Sequence, residues 1–403
     1  MAKERLITGV DIGTYSTKAM IVAVDSKNET GLNLVLKLEE PSDGVRRGTV
    51  IGVEKVSNIL RKLFWRVEQE LGQKINSVYV NVKGSHIFST SSRGLVSVSR
   101  ADQKISEEDI QRVLQAARTI NLPSNKEIFE VFPKEFIVDG ERGIKDPIGL
   151  QGVRLEVEVL ALAGFSPYLE NTKQAVLDAD LGVLDIIPSS IAAARSVLTE
   201  KQKELGVGLL DIGAGITSLA VFEEGNLIHF AVLPMGSSNI TNDIAIALKT
   251  DIDIAERVKI EYGSCLFKGR DVKRKINIGE DTPLVFSQKF LIKVITDRVS
   301  EIFEEANKEL KKISKEKLLP AGIVLTGGGA KLPKIIELAK NKFHLPVRLG
   351  IPKGIEGLNG DLSLATVCGL VLMGADEEKK KPGLDSWRRV FSKVKNLLRI
   401  FIP

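Results

Sequence analysis

Apolar residues in this chain gather in short blocks that end abruptly in aspartate and glycine. The first block, residues 6–10, runs into Asp11-Ile12-Gly13-Thr14-Tyr15-Ser16-Thr17, and a second apolar run, 18–25, follows at once. That order predicts a strand, a tight turn and a returning strand. Further on, 207–210 lead into Asp211-Ile212-Gly213-Ala214-Gly215-Ile216-Thr217, residues 218–222 return, and Glu224-Gly225-Asn226 has the make-up of the next hairpin turn. Asp-Ile-Gly-x-x-x-Thr thus recurs at the same depth of two hairpins, which predicts a duplicated domain. A buried-strand pattern at 321–326 precedes Gly327-Gly328-Gly329-Ala330, after which 331–342 reads as a helix with Pro333 in its first turn.

Between the copies, residues 85–164 carry a pattern of their own. Residues 94–99 alternate as a strand does, and Ser106 followed by Glu107, Glu108 and Asp109 opens a helix running to about Ile120. Two further apolar runs follow at 127–133 and 136–140. Residues 301–317 alternate acids and bases, as on one solvated helix face. Near the far end, 375–385 is charged and then broken by Pro382-Gly383, which predicts a linker. Beyond it Trp387, Val390, Phe391, Val394, Leu397, Leu398 and Phe401 fall at helical spacing on one face, with Arg388, Arg389, Lys393, Lys395 and Arg399 opposite and flanking.

Charge sharpens the reading of that tail. The net charge is +5, and residues 386–403 hold five basic residues and no acidic one, so the excess belongs to the tail. A basic amphipathic helix behind a linker predicts a segment lying in a lipid interface; a core-packing helix or a calmodulin-target-like peptide are the plainer readings. No run of eighteen apolar residues predicts a spanning helix, and the first residues pass straight into a strand, which predicts no signal peptide. Cys265 and Cys368 lie in unrelated contexts, and His86, His229 and His344 are isolated. Neither a disulfide framework, a zinc site nor a Ser/His/Asp arrangement is expected, and a reducing cytoplasm is the default. The absence of a basic stripe interleaved with aromatics predicts no nucleic-acid partner.

The chemistry of the repeated turn suits one task. Glycine lets backbone approach an anion, and successive turn N–H groups can hold phosphate oxygens. Thr14, Ser16, Thr17 and Thr217 add hydroxyls, and Lys18 adds a point charge. A carboxylate repels phosphate, so Asp11 and Asp211 are expected to face a hydrated Mg2+. Two such hairpins would grip a triphosphate from both sides, and three glycines after a strand would let a flat ring lie against bare backbone.

The set Asp11-Ile12-Gly13, Asp211-Ile212-Gly213 and Gly327-Gly328-Gly329 resembles the superfamily of actin, heat-shock chaperones and sugar kinases. So do Ala255-Glu256-Arg257-Val258-Lys259 and the stretch 185–194, which resembles the connection between the superfamily's two halves. Asp146-Pro147-Ile148-Gly149 with Gly152-Val153-Arg154-Leu155, Gly44-Val45-Arg46-Arg47-Gly48, and Leu233-Pro234-Met235-Gly236 with Ile240-Thr241-Asn242-Asp243-Ile244 resemble the FtsA family, over nearly the whole chain.

That resemblance implies an actin-like α/β fold: two ribonuclease-H-like lobes around a nucleotide cleft, an inserted small α+β domain and a C-terminal amphipathic helix. The implied first lobe is 1–84, 165–200 and 351–374; the inserted domain is 85–164; the second lobe is 201–240 and 301–350 with a small subdomain at 241–300. A linker, 375–385, then leads to a membrane helix, 386–403.

The resemblance also implies ATP and Mg2+, bound by Asp11, Gly13, Thr14, Tyr15, Ser16, Lys18, Asp211, Gly213, Gly215, Thr217, Gly236, Glu256, Lys259, Gly327, Gly328 and Gly329, with at most slow hydrolysis. Glu256 and Lys259 would reach the ribose and base. Implied partners are the C-terminal peptide of FtsZ, taken by Lys293 and Arg298 within 241–298, further copies of the chain in a filament, other division proteins at the inserted domain, and an anionic membrane. The implied location is the cytoplasmic side of the membrane, peripheral, at the septum. Three positions depart from the family pattern: Ser237 stands where a second glycine is usual, and Glu130 and Leu160 where histidines are common. A pilus-assembly PilM-like protein, a small-molecule kinase or a chaperone would share the lobes. No acceptor-site base is assignable for a kinase, and no substrate domain follows for a chaperone.

For the tail, Trp387, Val390, Phe391, Val394, Leu398 and Phe401 would bury their side chains in lipid while Arg388 and Lys395 meet headgroups, each cation contributing about 1 kcal/mol near an anionic leaflet. Removal of 386–403 is expected to abolish co-flotation with anionic liposomes and to leave ATP binding unchanged. A truncated protein that still floats would remove the tail as the anchor.

Overall fold

A computed structural model describes residues 5–24, 31–119, 122–277 and 283–379. Two five-stranded sheets form its body. The first runs, in spatial order, Leu32–Pro41, Ser16–Val24, Leu6–Ile12, Ser77–Val82, Gly182–Pro188. The second runs Asn226–Leu233, Thr217–Glu223, Val207–Ile212, Ile323–Thr326, Val347–Leu349. In both, the first three strands along the chain pair antiparallel, the fourth pairs parallel with the first, and the fifth parallel with the fourth. The duplication read from the motif is therefore a duplication of topology.

Each sheet is covered on both faces, which explains why its central strands are apolar almost without alternation. In the first lobe Val53–Leu71 and Ser166–Leu177 pack on one face and Ser189–Val197 and Ala365–Lys379 on the other. The latter two helices cross at small residues: a Cβ on Gly369 would stand 1.7 Å from the carbonyl oxygen of Ala192, so only hydrogen fits there. In the second lobe, Gln288–Lys312 buries Leu291, Ile295, Val299, Ile302, Phe303, Ala306 and Leu310 at the three- and four-residue spacing of one helix face.

The inserted domain is a four-stranded sheet, Phe88–Ser97, Arg154–Phe165, Lys126–Val138, Glu141–Ile144, under the helix Glu107–Arg118. Ser106 caps that helix as anticipated: its hydroxyl accepts from the Asp109 N–H, and Asp109 accepts from the Ser106 N–H at 3.0 Å. Although it leaves the chain from the first lobe, the domain also packs on the second, where Ser89 Oγ donates to the Phe230 carbonyl (2.7 Å) and Asn226 Nδ2 to the Lys134 carbonyl (3.0 Å). It thereby covers Asn226–Leu233, an edge strand that would otherwise lie open.

Four local readings change. The strand expected at 94–99 runs from Phe88 to Ser97; Ser92, on the face turned to the helix, donates its hydroxyl to the Ala117 carbonyl at 2.7 Å, and Ser91 on the opposite face is exposed. The runs 127–133 and 136–140 are one strand, Lys126–Val138, and Pro133 is tolerated beside a register shift against Arg154–Phe165. The helix expected at 331–342 is a 3-10 turn, Gly328–Lys331, then a break, then Ile335–Phe343; Pro333 forces Leu332 out of helical geometry, and Lys334 follows at φ +66°. Finally, Ala365–Lys379 continues into the stretch read as linker, held by buried Ala375 and by Arg195, whose guanidinium grips Asp376 at 2.6 and 3.0 Å. The tail residues 386–403 lie outside the described residues.

Candidate functional site

The two Asp-Ile-Gly turns meet between the lobes and line one cavity of about 500 Å3, a volume within the range of small-molecule sites, roughly 300–1,000 Å3. Both turns close alike: Gly13 N–H donates to the Ser16 carbonyl (3.1 Å) and Gly213 N–H to the Ile216 carbonyl (2.9 Å). Their tips touch. A Cβ on Gly215 would lie 2.9 Å from Thr14 Oγ1 and 3.0 Å from Arg47 Cα, while Gly48 N–H donates to Thr14 Oγ1 at 2.8 Å. The loop around Arg47 thus ties both turns together.

Asp11 and Asp211 lie at the floor. Asp11 accepts from Asn81 Nδ2 and Lys83 Nζ, both at 2.7 Å. Asn81 is itself fixed, since Oδ1 accepts from the Ile12 N–H (2.7 Å) and Nδ2 also reaches Ser189 Oγ (2.9 Å). Asp211 sits against Gly327, whose φ of +83° and 2.4 Å clearance between a would-be Cβ and Asp211 Oδ1 admit only glycine. Above the floor, Lys18 Nζ donates to Ser16 Oγ (2.8 Å) and lies 3.5 Å from Glu39. At the opposite end the turn Gly327 to Gly329 faces Glu256 and Lys259, joined at 2.6 Å, and the ion pair Lys331–Asp361, also at 2.6 Å.

This donor set fits a nucleotide with Mg2+. Two carboxylates suffice for an ion that keeps most of its water shell, and among the described residues no group of three or more His, Cys, Asp or Glu forms a full protein cage.

The profile of cell division protein FtsA matches residues 208–369, and that of the SHS2 domain inserted in FtsA matches 84–163. The FtsA of Pseudomonas aeruginosa is 36% identical over 93% of this chain and 90% of its own length. For Bacillus subtilis FtsA the figures are 35%, 88% and 80%, and for Escherichia coli FtsA 32%, 88% and 86%. The chain belongs to the FtsA family of cell-division proteins. Among solved structures, the PilM–PilN type IV pilus biogenesis complex (17% identity, TM-score 0.67, 92% of this chain and 98% of that one) and ADP-bound MreB5 of Spiroplasma citri (13%, 0.57, 94% and 99%) share the actin-like fold.

With that family frame in place, the cleft gathers Asp11, Gly13, Thr14, Tyr15, Ser16, Lys18, Asp211, Gly213, Gly215, Glu256, Lys259, Gly327, Gly328 and Gly329. It does not gather Thr217 or Gly236. Strand alternation turns Thr217 away, fully buried with its hydroxyl unpartnered, just as Thr17 turns away to bond Ser42 Oγ. The cavity-facing positions are the next ones, Lys18 opposite Asp11 and Ser218 opposite Asp211. Gly236 lies against the second turn, where a Cβ would stand 2.5 Å from the carbonyls of Gly213 and Ala214; Ser237 and Ser238 beyond it line the cavity and donate their N–H groups to those carbonyls.

Lys83, Ser218, Lys331 and Asp361 line the cleft unanticipated. One signal was present for Lys83: polar Asn81 inside the apolar run that precedes it. Of the two family departures in the inserted domain, Leu160 is buried opposite Phe132 in the apolar cluster where that domain packs on the lobes, and Glu130 is buried beside Arg118.

Lys293 and Arg298 differ in how they are paired. Arg298 is already held by Asp243 (2.6 and 2.9 Å) and Glu301 (2.6 Å). Lys293, exposed and paired only along its helix with Asp297, borders a groove with Leu266, Phe267 and Phe290.

Burial pushes the Asp211 carboxyl up to about 6; Lys83 and Lys18 pull it down, and Asp11 pushes it further up. Between its ordinary 3.8 and about 6 the folded state therefore holds more protons than the unfolded chain, and stability falls as pH rises through that window. In nucleotide-free protein, Asp211→Asn is expected to melt like the parent near pH 4 and progressively above it up to about pH 6, where the gain levels off. Identical melting temperatures at pH 7 would contradict this.

Proposed function

We propose that this FtsA-family protein is an ATP-dependent scaffold that assembles into filaments on the cytoplasmic face of the membrane at the septum and tethers FtsZ filaments there, hydrolysing ATP slowly at most. The observation that carries the reading is the cleft with two identically closed turns over paired carboxylates. Turns of this form present N–H groups to phosphate oxygens, and Lys18 supplies charge beside them. The Gly327 to Gly329 turn would take the base, with Glu256 and Lys259 near the ribose. Asp11 and Asp211 would hold Mg2+ through water, and that ion would offset phosphate charge. A solved MreB5 of the same fold carries ADP, which supports a nucleotide here.

The basic tail would hold the scaffold to anionic lipid. A single short helix binds reversibly, and assembly multiplies the tails, so filament formation makes attachment firm. The inserted domain, braced on both lobes, would offer its outer surface to other division proteins. For the acidic FtsZ peptide, support now favours the Lys293 side of the small subdomain, since Arg298 is spent on Asp243 and Glu301.

Isothermal titration is expected to show Mg2+-dependent binding with ATP preferred over GTP. Asp11→Ala and Asp211→Ala should each weaken MgATP by about 1.5–3 kcal/mol, as for loss of a charged partner. Unchanged affinity in both variants would remove the clamp.

Lys293→Ala should weaken FtsZ-peptide binding and flatten its salt dependence while ATP binding holds. Arg298→Ala should instead lower the melting temperature, because it strands Asp243. Full peptide affinity in Lys293→Ala would relocate the peptide site.

A further inference from the structure

Lys83 follows Ser77–Val82, the parallel neighbour of Leu6–Ile12, and so leaves the first sheet at the same edge as Asp11. Its ammonium lies 2.7 Å from Asp11 Oδ1, with the side chain only 17% exposed, and 3.6 Å from where a Cβ on Gly13 would stand. A cation thus lies beside the first turn, on Asp11 at the floor of the cleft.

We propose that Lys83 is a tethered counter-cation of the nucleotide cleft, which shares Asp11 with the divalent ion and lets this chain hold ATP when no divalent ion is present. The inference rests on the ATP reading above. Without a metal, a triphosphate is strongly repelled by two carboxylates in a partly enclosed site, and like charges at short range destabilise more as water is excluded. The cations lining this part of the cleft are Lys18 and Lys83, and Lys18 is already engaged by Ser16 and Glu39. Lysine is a compact charge on a flexible stem, so it can exchange a carboxylate for a phosphate oxygen without rebuilding the site. Asp11 keeps its place during that exchange, because Asn81 holds it and is itself held by Ile12 and Ser189. A divalent ion arriving at Asp11 meets a site already half neutralised, which makes the dependence of ATP affinity on Mg2+ shallow.

The test is titration of the full chain with ATP in excess EDTA and again in saturating Mg2+. The parent is expected to bind under both conditions. Lys83→Ala should lose about tenfold or more in EDTA, the worth of a charge-assisted hydrogen bond, and stay within about threefold of the parent in Mg2+, so its Mg2+ dependence steepens. Lys83→Arg should recover part of the EDTA affinity. If Lys83→Ala melts early, Lys83→Met, which keeps the stem, is read in its place. Unchanged affinity in EDTA, or equal losses in both conditions, overturns the proposal while leaving the nucleotide reading intact. A parent that binds no ATP in either condition overturns both.

Discussion

Two carboxylates at the floor of one cleft are the constraint around which the lobes are arranged. The duplicated strand–turn–strand unit ends each first strand in aspartate, and bringing the units together brings the charges together. Like charges at short range oppose closure, and Asp11 pushes the Asp211 carboxyl up. The fold answers with Lys83 on Asp11, with Asn81 locking Asp11 in place, and with a bare glycine at 327 that lets the neighbouring strand end pass beside Asp211. What remains is a polar floor in want of a cation beneath turns suited to anions. In the function proposed above, that floor would hold a hydrated cation and the turns over it an anion.

The same duplication sets how the halves are joined. Identical strand orders place both turns at corresponding sheet ends, and the tips meet with no room for a side chain at Gly215. The two turns are therefore joined through Thr14, Gly48 and the Arg47 loop. The inserted domain adds a second bridge, since its sheet packs on Asn226–Leu233 of the opposite lobe. Solved structures of the same fold share only 12–17% of the sequence, so it is the strand order, rather than the side chains that line it, that persists across the wider fold.

Contacts between residues close in sequence were legible from residue types alone. Each Asp-Ile-Gly turn is closed by a bond spanning three residues, and the Ser106 cap is completed by Asp109, so the local pattern carries the whole interaction. The superfamily followed from such turns, and the family from short runs such as Asp146-Pro147-Ile148-Gly149. The tail's charge and spacing were equally plain.

Tertiary structure decided everything that depended on which side a residue faces or which distant partner reaches it. Thr217 matched the motif but points into the core, and Ser218, one position on, faces the cleft. Lys83 carried no motif and met Asp11 because its strand pairs beside that of Asp11. Arg298 was a free cation in the sequence and is a bound one in the fold, because Asp243, distant along the chain, comes within 2.6 Å. Pro333 broke a helix that periodicity extended, and Asp376 prolonged one that composition ended, by meeting Arg195. Backbone preference acts over a few residues and is written in order along the chain; charge pairing and facing act through space, and only the packed lobes bring those partners within range.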